Sequence, residues 1–387
     1  MARQPKYSEL VSRMPPSGIR RFFDLIIGQP DIISLGVGEP DFVTPWNIRE
    51  KAFYALEKGR TSYTSNWGLL ELRTAVAGYL QKYRLSYDPA AEILITFGVS
   101  EAVDIILRSI LNPGDEVIVA EPCYVSYQPL VALAGGKTVS LDTSRTKFIP
   151  SAREIEKLIT PQTKALFLCY PNNPTGTTIA KAELQKIAAL VKKHGIWVIS
   201  DEIYAELSYA GPHTSIGSFP GLKAQTILLS GFSKAFAMTG WRIGYICCPA
   251  ELMQQIIKLH QYCAICAPIM SQYGAVEALQ NCRNEVEQMR RSYFQRRNFA
   301  VNALDKIGLP AVKADGAFYL FVDIRRTGLQ SEDFALKLIQ REKVAVVPGS
   351  VFGAGGEGFV RCCYATEISL LKEALTRIGR FVHGGIK

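Results

Sequence analysis

The chain has 387 residues, of which 48% are hydrophobic and 20% are charged, and its formal net charge at pH 7 is +9. This balance excludes a disordered protein, because enough apolar surface is available to offset chain entropy, and the length predicts two domains. The basic residues are spread along the chain, and their densest cluster has helical spacing, which favours a solvated helix face over a nucleic-acid site. That cluster is Arg290, Arg291, Arg296 and Arg297.

The N-terminal segment MARQPKYSELVSRMPPSGIRRF has no apolar leader region, and no run of eighteen apolar residues occurs in the chain. Most of the nine cysteines fall within apolar runs, as buried thiols do in a reducing compartment. Cys263 and Cys266 form a CxxC, but no second pair lies at zinc-site spacing, so no metal site is expected. These features predict a cytoplasmic protein that binds neither membrane nor nucleic acid.

Short apolar runs from Ile93 onward predict buried strands that alternate with helices. One helical stripe begins at Val103, and another spans residues 184–191 and is expected to end at Gly195. Strand and helix in alternation predict an α/β fold whose mainly parallel sheet is covered by helices on both faces. The strand runs are ILITF, DEVIVA, KALFLCY, IWVIS, TILLS and RIGYICC.

Beyond about residue 250 the pattern changes to long helices, one of them predicted from Glu285 to Ile307. Then follow a strand GAFYLFVDI, a helix near residues 331–341, the run KVAVVPGS, a strand FVRCCYA and a last amphipathic helix. We predict a large domain of residues 46–284. A smaller α+β domain would consist of residues 1–45 and 285–387.

Polar residues follow four of the predicted strands. The carboxyl ends of strands form the active sites of open α/β sheets, so these segments are candidates for function. Each also has an ordinary structural explanation, since Asp201 could cap a helix and a lysine after a strand is usually exposed. The segments are GVSE (98–101), PNNPTG (171–176), DEIY (201–204) and GFSK (231–234).

The order of motifs along the chain resembles that of the class I aminotransferases of the aspartate aminotransferase superfamily. Residues 230–244, SGFSKAFAMTGWRIG, are similar to the family signature around the cofactor lysine. The resemblance covers nearly the whole chain and implies fold type I of the pyridoxal-phosphate-dependent transferases, with pyridoxal 5'-phosphate as cofactor. The other matching motifs are GVGEPDF, TSYTSNWGLLELR, GVSEA, YPNNPTG, SDEIY, GAFY, VPGS and FVRCCYA.

The resemblance implies roles for five residues around the cofactor ring. Lys234 would hold the cofactor as a Schiff base and, once displaced by the substrate amine, carry the proton between the substrate Cα and the cofactor C4′. Asp201 would keep the pyridine nitrogen protonated, while Asn173 and Tyr204 would donate hydrogen bonds to the phenolic oxygen. Tyr124 would stack on the ring. Lys234, Asp201 and Tyr204 are the expected catalytic residues.

The cofactor phosphate needs hydrogen-bond donors and positive charge. Val99 and Ser100 lie where a predicted strand leads into a helix, whose N terminus offers backbone N–H groups. Arg242 would add a guanidinium. Many relatives have a hydroxyl three residues before the lysine, where this chain has glycine, so either Ser230 or Ser233 would take its place.

The resemblance also implies how the substrate binds and how the chain assembles. Arg361 matches the arginine that receives the α-carboxylate, and the backbone at Gly38 would close the other side, with Tyr124 and Asn173 alongside. Tyr63 resembles the tyrosine that crosses a dimer interface to the partner's cofactor phosphate. A homodimer with shared active sites, acting on small amino acids and 2-oxo acids, is therefore expected.

Substrate choice is left more open. Some aspartate-using relatives have a lysine where this chain has Ser100, which disfavours a dedicated aspartate enzyme. The aromatic residues Tyr63, Trp67, Tyr124 and Phe352 suit an aromatic or broad-range donor or an N-acetyl-diaminopimelate-type substrate, and equally suit simple packing. By family analogy 2-oxoglutarate is the expected acceptor, in amino-acid biosynthesis. A cysteine-conjugate β-lyase is the rival with the same cofactor, and a non-catalytic regulator is disfavoured because every reactive position is filled.

Overall fold

The computed structural model describes residues 7–24 and 27–384. The ends of the predicted small domain, residues 1–6 and 385–387, lie outside the described residues, as do residues 25–26. Within the described ranges the strands are β1 Ile33–Ser34, β2 Ile93–Thr96, β3 Glu116–Glu121, β4 Lys137–Asp142, β5 Thr163–Cys169, β6 Trp197–Asp201, β7 Thr226–Gly231, β8 Gly244–Cys247, β9 Tyr319–Asp323, β10 Val344–Ala345, β11 Val347–Pro348 and β12 Phe359–Cys363.

The helices account for most of the remaining regular structure and include a long one near the predicted start of the second domain. They are α1 Glu9–Arg13, α2 Gly18–Asp24, α3 Trp46–Glu57, α4 Leu70–Leu80, α5 Gly98–Ile110, α6 Tyr127–Leu133, α7 Ala152–Glu156, α8 Lys181–His194, α9 Ala250–Cys263, α10 Ile269–Asn281, α11 Arg283–Ile307, α12 Ser331–Glu342 and α13 Ile368–His383. No helix among the described residues is long and apolar enough to cross a membrane.

A seven-stranded sheet in the order β2-β8-β7-β6-β5-β3-β4 forms the centre of the molecule. The pairs from β7 through β6, β5 and β3 to β4 are all parallel, and β8 alone of the seven runs against its neighbours β2 and β7. The six strands predicted from apolar runs are all present, and the predicted mainly parallel sheet is confirmed. Strand β4 was not predicted.

Helices cover both faces of this sheet, as its apolar strands require. One face packs against α5 and α9 in a cluster that contains Val103, Ile106 and Ile256. The other packs against α8 in a cluster that contains Leu184 and Ile187. Each large apolar side chain removed from water in this way contributes about 1.5–3 kcal/mol to folding. The helix α8 ends as predicted, with Gly195 in the left-handed conformation at φ 66°.

The C-terminal part builds a second, antiparallel sheet in the order β11-β12-β9, flanked by α11, α12 and α13. The N-terminal strand β1 pairs in parallel with β10, with Ile33 opposite Val344. The segment before residue 45 thus packs with the C-terminal part, as the predicted two-part small domain requires. The boundaries of the two domains stay a prediction.

The arginine cluster of α11 is more involved in internal contacts than a solvated helix face would be. Arg290 and Arg291 both pair with Glu287 at 2.7 Å. Arg296 donates to Asp41 at 2.7 Å, and its side chain is only 13% exposed. The contact between Arg296 and Asp41 joins the GVGEPDF segment to α11, so the prediction of a solvated face is wrong for Arg296.

Candidate active site

A cavity of about 490 Å³ lies at the carboxyl ends of β5, β6 and β7, beside the start of α5. Strands that run parallel bring their ends to one edge of the sheet, and so segments far apart in sequence meet there. This volume is typical of a small-molecule site. The cavity brings together most of the predicted site residues: Gly38, Val99, Ser100, Tyr124, Asn173, Asp201, Tyr204, Ser233, Lys234, Arg242 and Arg361.

Asp201, the last residue of β6, places a buried carboxylate at the floor of the cavity. The hydroxyl of Tyr127 donates to its Oδ2 at 2.8 Å, and the backbone N–H of Ile203 donates to its Oδ1 at 3.1 Å. Burial raises the pKa of Asp201 to about 6, although the two donors oppose this shift. The carboxylate is therefore mainly ionised at neutral pH and lacks a directly bound cation among the described residues.

Lys234 follows β7 and extends its amine across the cavity to the N-terminal segment. Its Nζ donates to the backbone carbonyl of Gly38 at 2.6 Å. Burial is the main cause that lowers the pKa of Lys234 to about 8, with a contribution from the nearby Arg361 and Arg242, whereas Cys363 and Glu39 act in the opposite direction. About a tenth of this amine is then neutral at pH 7, far more than for an ordinary lysine, and a neutral amine can act as a nucleophile or a base.

Arg361 lies on β12 and is 2% exposed, one of the most deeply buried charged side chains in the protein. Its two terminal nitrogens donate to Asn173 Oδ1 at 2.8 Å and to the carbonyl of Gly36 at 2.7 Å. Its Nε has no hydrogen-bond partner among the described residues. Since no carboxylate pairs with it there, this guanidinium is suited to an anionic ligand in the cavity.

The N terminus of α5 opens onto the cavity without a side-chain cap. The first N–H groups of a helix have no partner within the helix, so they are available to an anion. Gly98 starts the helix at φ 75°, and a Cβ on it would lie 3.1 Å from the guanidinium of Arg242. Strand β8 also approaches closely, because a Cβ on Gly244 would lie 3.0 Å from the Val99 nitrogen. The glycines thus bring an arginine against an uncapped helix end.

Two predicted site residues are not brought to the cavity. Ser230 lies within β7, and its hydroxyl donates to the carbonyl of Glu202 at 3.3 Å. Ser233, the alternative to Ser230, lies beside Lys234 and lines the cavity. Tyr63 is 81% exposed, on the surface of its own subunit. Of the other aromatic residues considered for the substrate, Phe352 is buried in an apolar cluster with Ile19, and its ring centre lies 4.9 Å from the guanidinium carbon of Arg361.

Three further residues of the cavity were missed from the sequence. Tyr127 lies three residues after Tyr124, at the start of α6, and its closeness to that candidate could have indicated it. Tyr319 belongs to the matching GAFY motif, and its hydroxyl lies 2.8 Å from that of Tyr204. Arg20, on α2, lines the cavity with only an exposed ion pair to Asp24 at 3.2 Å among the described residues. No local pattern marks Arg20, because only the tertiary fold brings α2 to the cavity.

The model of the family "Aminotransferase class I and II" matches residues 30–378. The chain belongs to this family, whose members depend on pyridoxal phosphate, and it is therefore a pyridoxal-phosphate-dependent aminotransferase. The resemblance inferred from the motifs is confirmed. The fold type and the cofactor predicted from that resemblance are confirmed with it.

Individual relatives narrow the comparison. The putative aminotransferase YugH of Bacillus subtilis is 51% identical over 97% of this chain and 98% of its own length. A probable N-acetyl-LL-diaminopimelate aminotransferase of the same organism is 45% identical over 95% of this chain and 93% of its own. The crystal structure of an aromatic aminotransferase from Pyrococcus horikoshii superposes with a TM-score of 0.89 at 42% identity, covering 95% and 99% of the two chains.

The residues of the cavity fit pyridoxal phosphate. A buried carboxylate, a lysine whose pKa is low, and an uncapped helix end beside an arginine are the groups that its ring nitrogen, aldehyde and phosphate require. The close approach of Gly98 and Gly244 leaves no room for side chains where the helix end meets β8.

Proposed function

We propose that this enzyme transfers the amino group of aromatic and acidic L-amino acids to a 2-oxo acid, with 2-oxoglutarate as the main acceptor. The observation that carries the proposal is the pair of arginines of the cavity. Arg361 is buried and has an orphaned Nε, whereas Arg20 lies at the mouth and is 70% exposed. One arginine would bind the α-carboxylate of every substrate. The other would reach a second carboxylate only when the substrate has one.

Pyridoxal phosphate, when bound, supplies the electron sink that accepts the electrons of the broken Cα–H bond. Val99, Ser100 and Ser233, with Arg242, would hold its phosphate. Asp201 would hold a proton on its ring nitrogen, an interaction that an ionised carboxylate at this depth makes strongly. Tyr124 would cover the ring face, at the point where it lines the cavity.

The proton that leaves the substrate Cα would be taken and returned by Lys234. The depressed pKa of this amine supports the role, because a neutral base is present at physiological pH. Tyr204 and Asn173 would donate to the phenolic oxygen. The oxygen of the Asn173 amide already accepts from Arg361 at 2.8 Å, which leaves the NH₂ group of Asn173 as its donor end.

The rest of the cavity wall is compatible with aromatic side chains. Ile19, Val37, Val103 and Leu130 line it together with Tyr124. Such a wall would accept an aromatic ring through apolar contact, while Arg20 turns outward into solvent. The name of the P. horikoshii structure supports an aromatic donor, and the serine at position 100 remains an argument against a dedicated aspartate enzyme.

A half-reaction screen tests the proposal. The enzyme loaded with pyridoxal phosphate is mixed with single amino acids, and the conversion of the cofactor to its amine form is followed by absorbance. Phenylalanine, tyrosine, glutamate and aspartate are expected to react at rates within about a hundredfold of one another, since each can engage Arg361. Arg20→Gln should slow glutamate and aspartate alone. A reaction confined to a single donor class contradicts the proposal.

An N-acyl-diaminopimelate substrate is the second candidate, because a relative of that name is 45% identical to this chain. Adding N-acetyl-LL-diaminopimelate to the same screen separates the two, since that enzyme would convert it far faster than phenylalanine. A β-lyase is detected with a cysteine conjugate and no 2-oxo acid. Release of pyruvate would identify it, because transamination alone produces none.

We further propose that the enzyme is a homodimer in which Tyr63 reaches the partner's cofactor phosphate. Large aromatic side chains are exposed on α3, including Trp46 at 54%, Phe53 at 60% and Tyr54 at 52%. Aromatic side chains are enriched at protein interfaces, so their exposure here supports the use of α3 as an interface. Tyr63 follows α3 closely and would lie at the edge of that interface.

Cytoplasmic residence is also proposed. Seven of the nine cysteines are buried, and none of the nine forms a disulfide. Burial raises the pKa of Cys169 and of Cys247 well above the ordinary value, so these thiols stay protonated and unreactive. Free thiols in this number suit a reducing compartment. Fractionation of the native cells, with immunodetection of the enzyme, would test this assignment.

A further inference from the structure

Tyr319 occupies a place in the cavity that the reaction as described leaves without a role. It is the first residue of β9 and is 1% exposed. Its hydroxyl lies 2.8 Å from that of Tyr204 and borders Gly38, because a Cβ built on Gly38 would lie 2.6 Å from it. The guanidinium carbon of Arg361 lies 4.4 Å from the centre of the Tyr319 ring and helps to hold it.

The number of protons fixes the direction of the bond between the two tyrosines. Each phenol has one proton to donate. If the proton of Tyr204 goes to the phenolic oxygen of the cofactor, the Tyr204 oxygen can only accept in its contact with Tyr319. Tyr319 is then the donor to Tyr204. Burial raises the pKa of both phenols well above the ordinary value, so both protons are present at every physiological pH.

We propose that Tyr319 is a positioning residue that donates to Tyr204 and thereby strengthens the hydrogen bond from Tyr204 to the cofactor's phenolic oxygen. Consecutive hydrogen bonds polarise one another in a low-dielectric interior. The positive charge of Arg361 over the Tyr319 ring also makes the Tyr319 hydroxyl a better donor, and so adds to this strengthening. This inference rests on the proposed role of Tyr204.

The groups that face the pair come from several elements. Arg361 and Cys363 approach from β12 and Cys169 from β5, and Tyr124 faces Tyr319 from the loop after β3. Burial raises the pKa of both Cys363 and Cys169 above the ordinary value. Asp201 and Lys234, with pKa values of about 6 and about 8, line the same cavity and are retained in every variant, so the effect of Tyr319 is read as the difference in midpoint between variant and wild type.

The test is the pH midpoint of the absorbance change of the bound cofactor, measured in holoenzyme without substrate. Donation to the phenolic oxygen favours its ionised form, so the proton shared with the lysine nitrogen is lost at a lower pH. Tyr319→Phe keeps the ring and removes the donor, and should raise the midpoint by about half a unit to one unit. Tyr204→Phe should raise it by about one to two units.

The double variant distinguishes action through Tyr204 from an independent effect. If Tyr319 acts through Tyr204, then Tyr204→Phe with Tyr319→Phe gives the same midpoint as Tyr204→Phe alone. If the double variant instead shifts the midpoint by the sum of the two single shifts, the inference is overturned. The matched control is Tyr364→Phe, which also loses a buried hydroxyl. That hydroxyl lies outside the cavity and donates to the carbonyl of Ala317 at 3.0 Å. The midpoint of this variant should equal that of the wild type.

Each remaining outcome has a distinct meaning. An unchanged midpoint in Tyr319→Phe, with the expected rise in Tyr204→Phe, overturns the inference and leaves the proposed function intact. An unchanged midpoint in Tyr204→Phe overturns both the inference and the assignment of Tyr204. Only folded protein binds the cofactor, so the absorbance reports on native molecules even if a variant is less stable.

Discussion

The buried charges of the cavity are costly to the protein that has not yet bound its cofactor. Asp201 and Lys234 both have pKa values that burial moves towards the neutral form, to about 6 and about 8. Each shift means that the folded state disfavours the ionised group relative to the unfolded chain. The site is thus built for a ligand that supplies the missing opposite charges, and part of the cofactor's binding energy would offset this cost.

Asp201→Asn should therefore stabilise the cofactor-free protein at pH 8. The pKa of Asp201 in the folded state lies above its unfolded value of 3.8. The contribution of Asp201 to wild-type stability is therefore fully present below about pH 4 and is lost as pH rises to about 6. The variant avoids this loss and should gain about 1–2 kcal/mol, after subtracting one weakened hydrogen bond. Urea denaturation of both apoproteins measures the difference. A less stable variant at pH 8 would contradict the burial argument.

Arg361→Lys should raise the KM for amino acids about a hundredfold, because a lysine keeps the charge but loses the two-pronged contact with a carboxylate. Steady-state kinetics with glutamate measures the effect. Arg296→Lys is the matched control. Arg296 is largely buried, as Arg361 is, but it pairs with Asp41 and lies outside the cavity. Equal KM values for the Arg361 variant and the wild type would remove Arg361 from substrate binding.

Among individual residues, those that belong to motifs could be predicted from the sequence. Residues that only the tertiary fold brings to the cavity were missed. Lys234, Asp201 and Arg361 were found because each stands in a recognisable segment. Tyr319 stands in such a segment too, but its contact with Tyr204 joins β9 to the turn after β6, which no local pattern encodes. Arg20 was missed for the same reason. Long-range contacts between side chains are decided by tertiary packing.

Among the secondary-structure elements, the close approach of β8 to the start of α5 is the feature that shapes the proposed phosphate site. Only glycine is small enough at the crossing, because a Cβ on Gly244 would lie 2.9 Å from the carbonyl carbon of Gly98. The approach keeps the helix N terminus pointed at the cavity. Any side chain at position 244 must push that end of the helix away.

Gly244→Ala should weaken the binding of pyridoxal phosphate by about tenfold or more and leave the binding of pyridoxal, which lacks the phosphate, nearly unchanged. Fluorescence titration of the apoprotein with each compound measures both affinities. Gly240→Ala is the control, because a Cβ there meets nothing within 4 Å. Equal losses for the two ligands would show that the helix end does not bind the phosphate.

The predicted elements also show what an apolar pattern can reveal. Strands buried on both faces form apolar runs, and all of these were predicted. Strand β4 lies at the edge of the sheet and has the sequence KTVSLD, with exposed residues at both ends. An edge strand needs little apolar surface, so its pattern resembles a loop. The pairing of β1 with β10 was likewise invisible, because two residues carry no periodicity.

At the scale of the whole molecule, the exposed aromatic face of α3 predicts association. Phe53→Arg should convert the proposed dimer to monomer, since a charge would then be buried at the interface. Sedimentation velocity at several concentrations measures the mass. Leu370→Arg, which changes an apolar side chain 46% exposed on α13, is the control and should remain dimeric. A wild-type protein that sediments as a monomer would contradict both the interface and the role of Tyr63.

We propose that Lys234 alone forms the covalent bond to the cofactor. Holoenzyme is treated with borohydride and digested, and the modified peptide is identified by mass spectrometry. If Lys234 alone holds the cofactor, a phosphopyridoxyl group is expected on the peptide that contains Lys234, and none is expected in Lys234→Ala. Labelling of a different lysine in the wild type, or undiminished labelling of the variant, would contradict it.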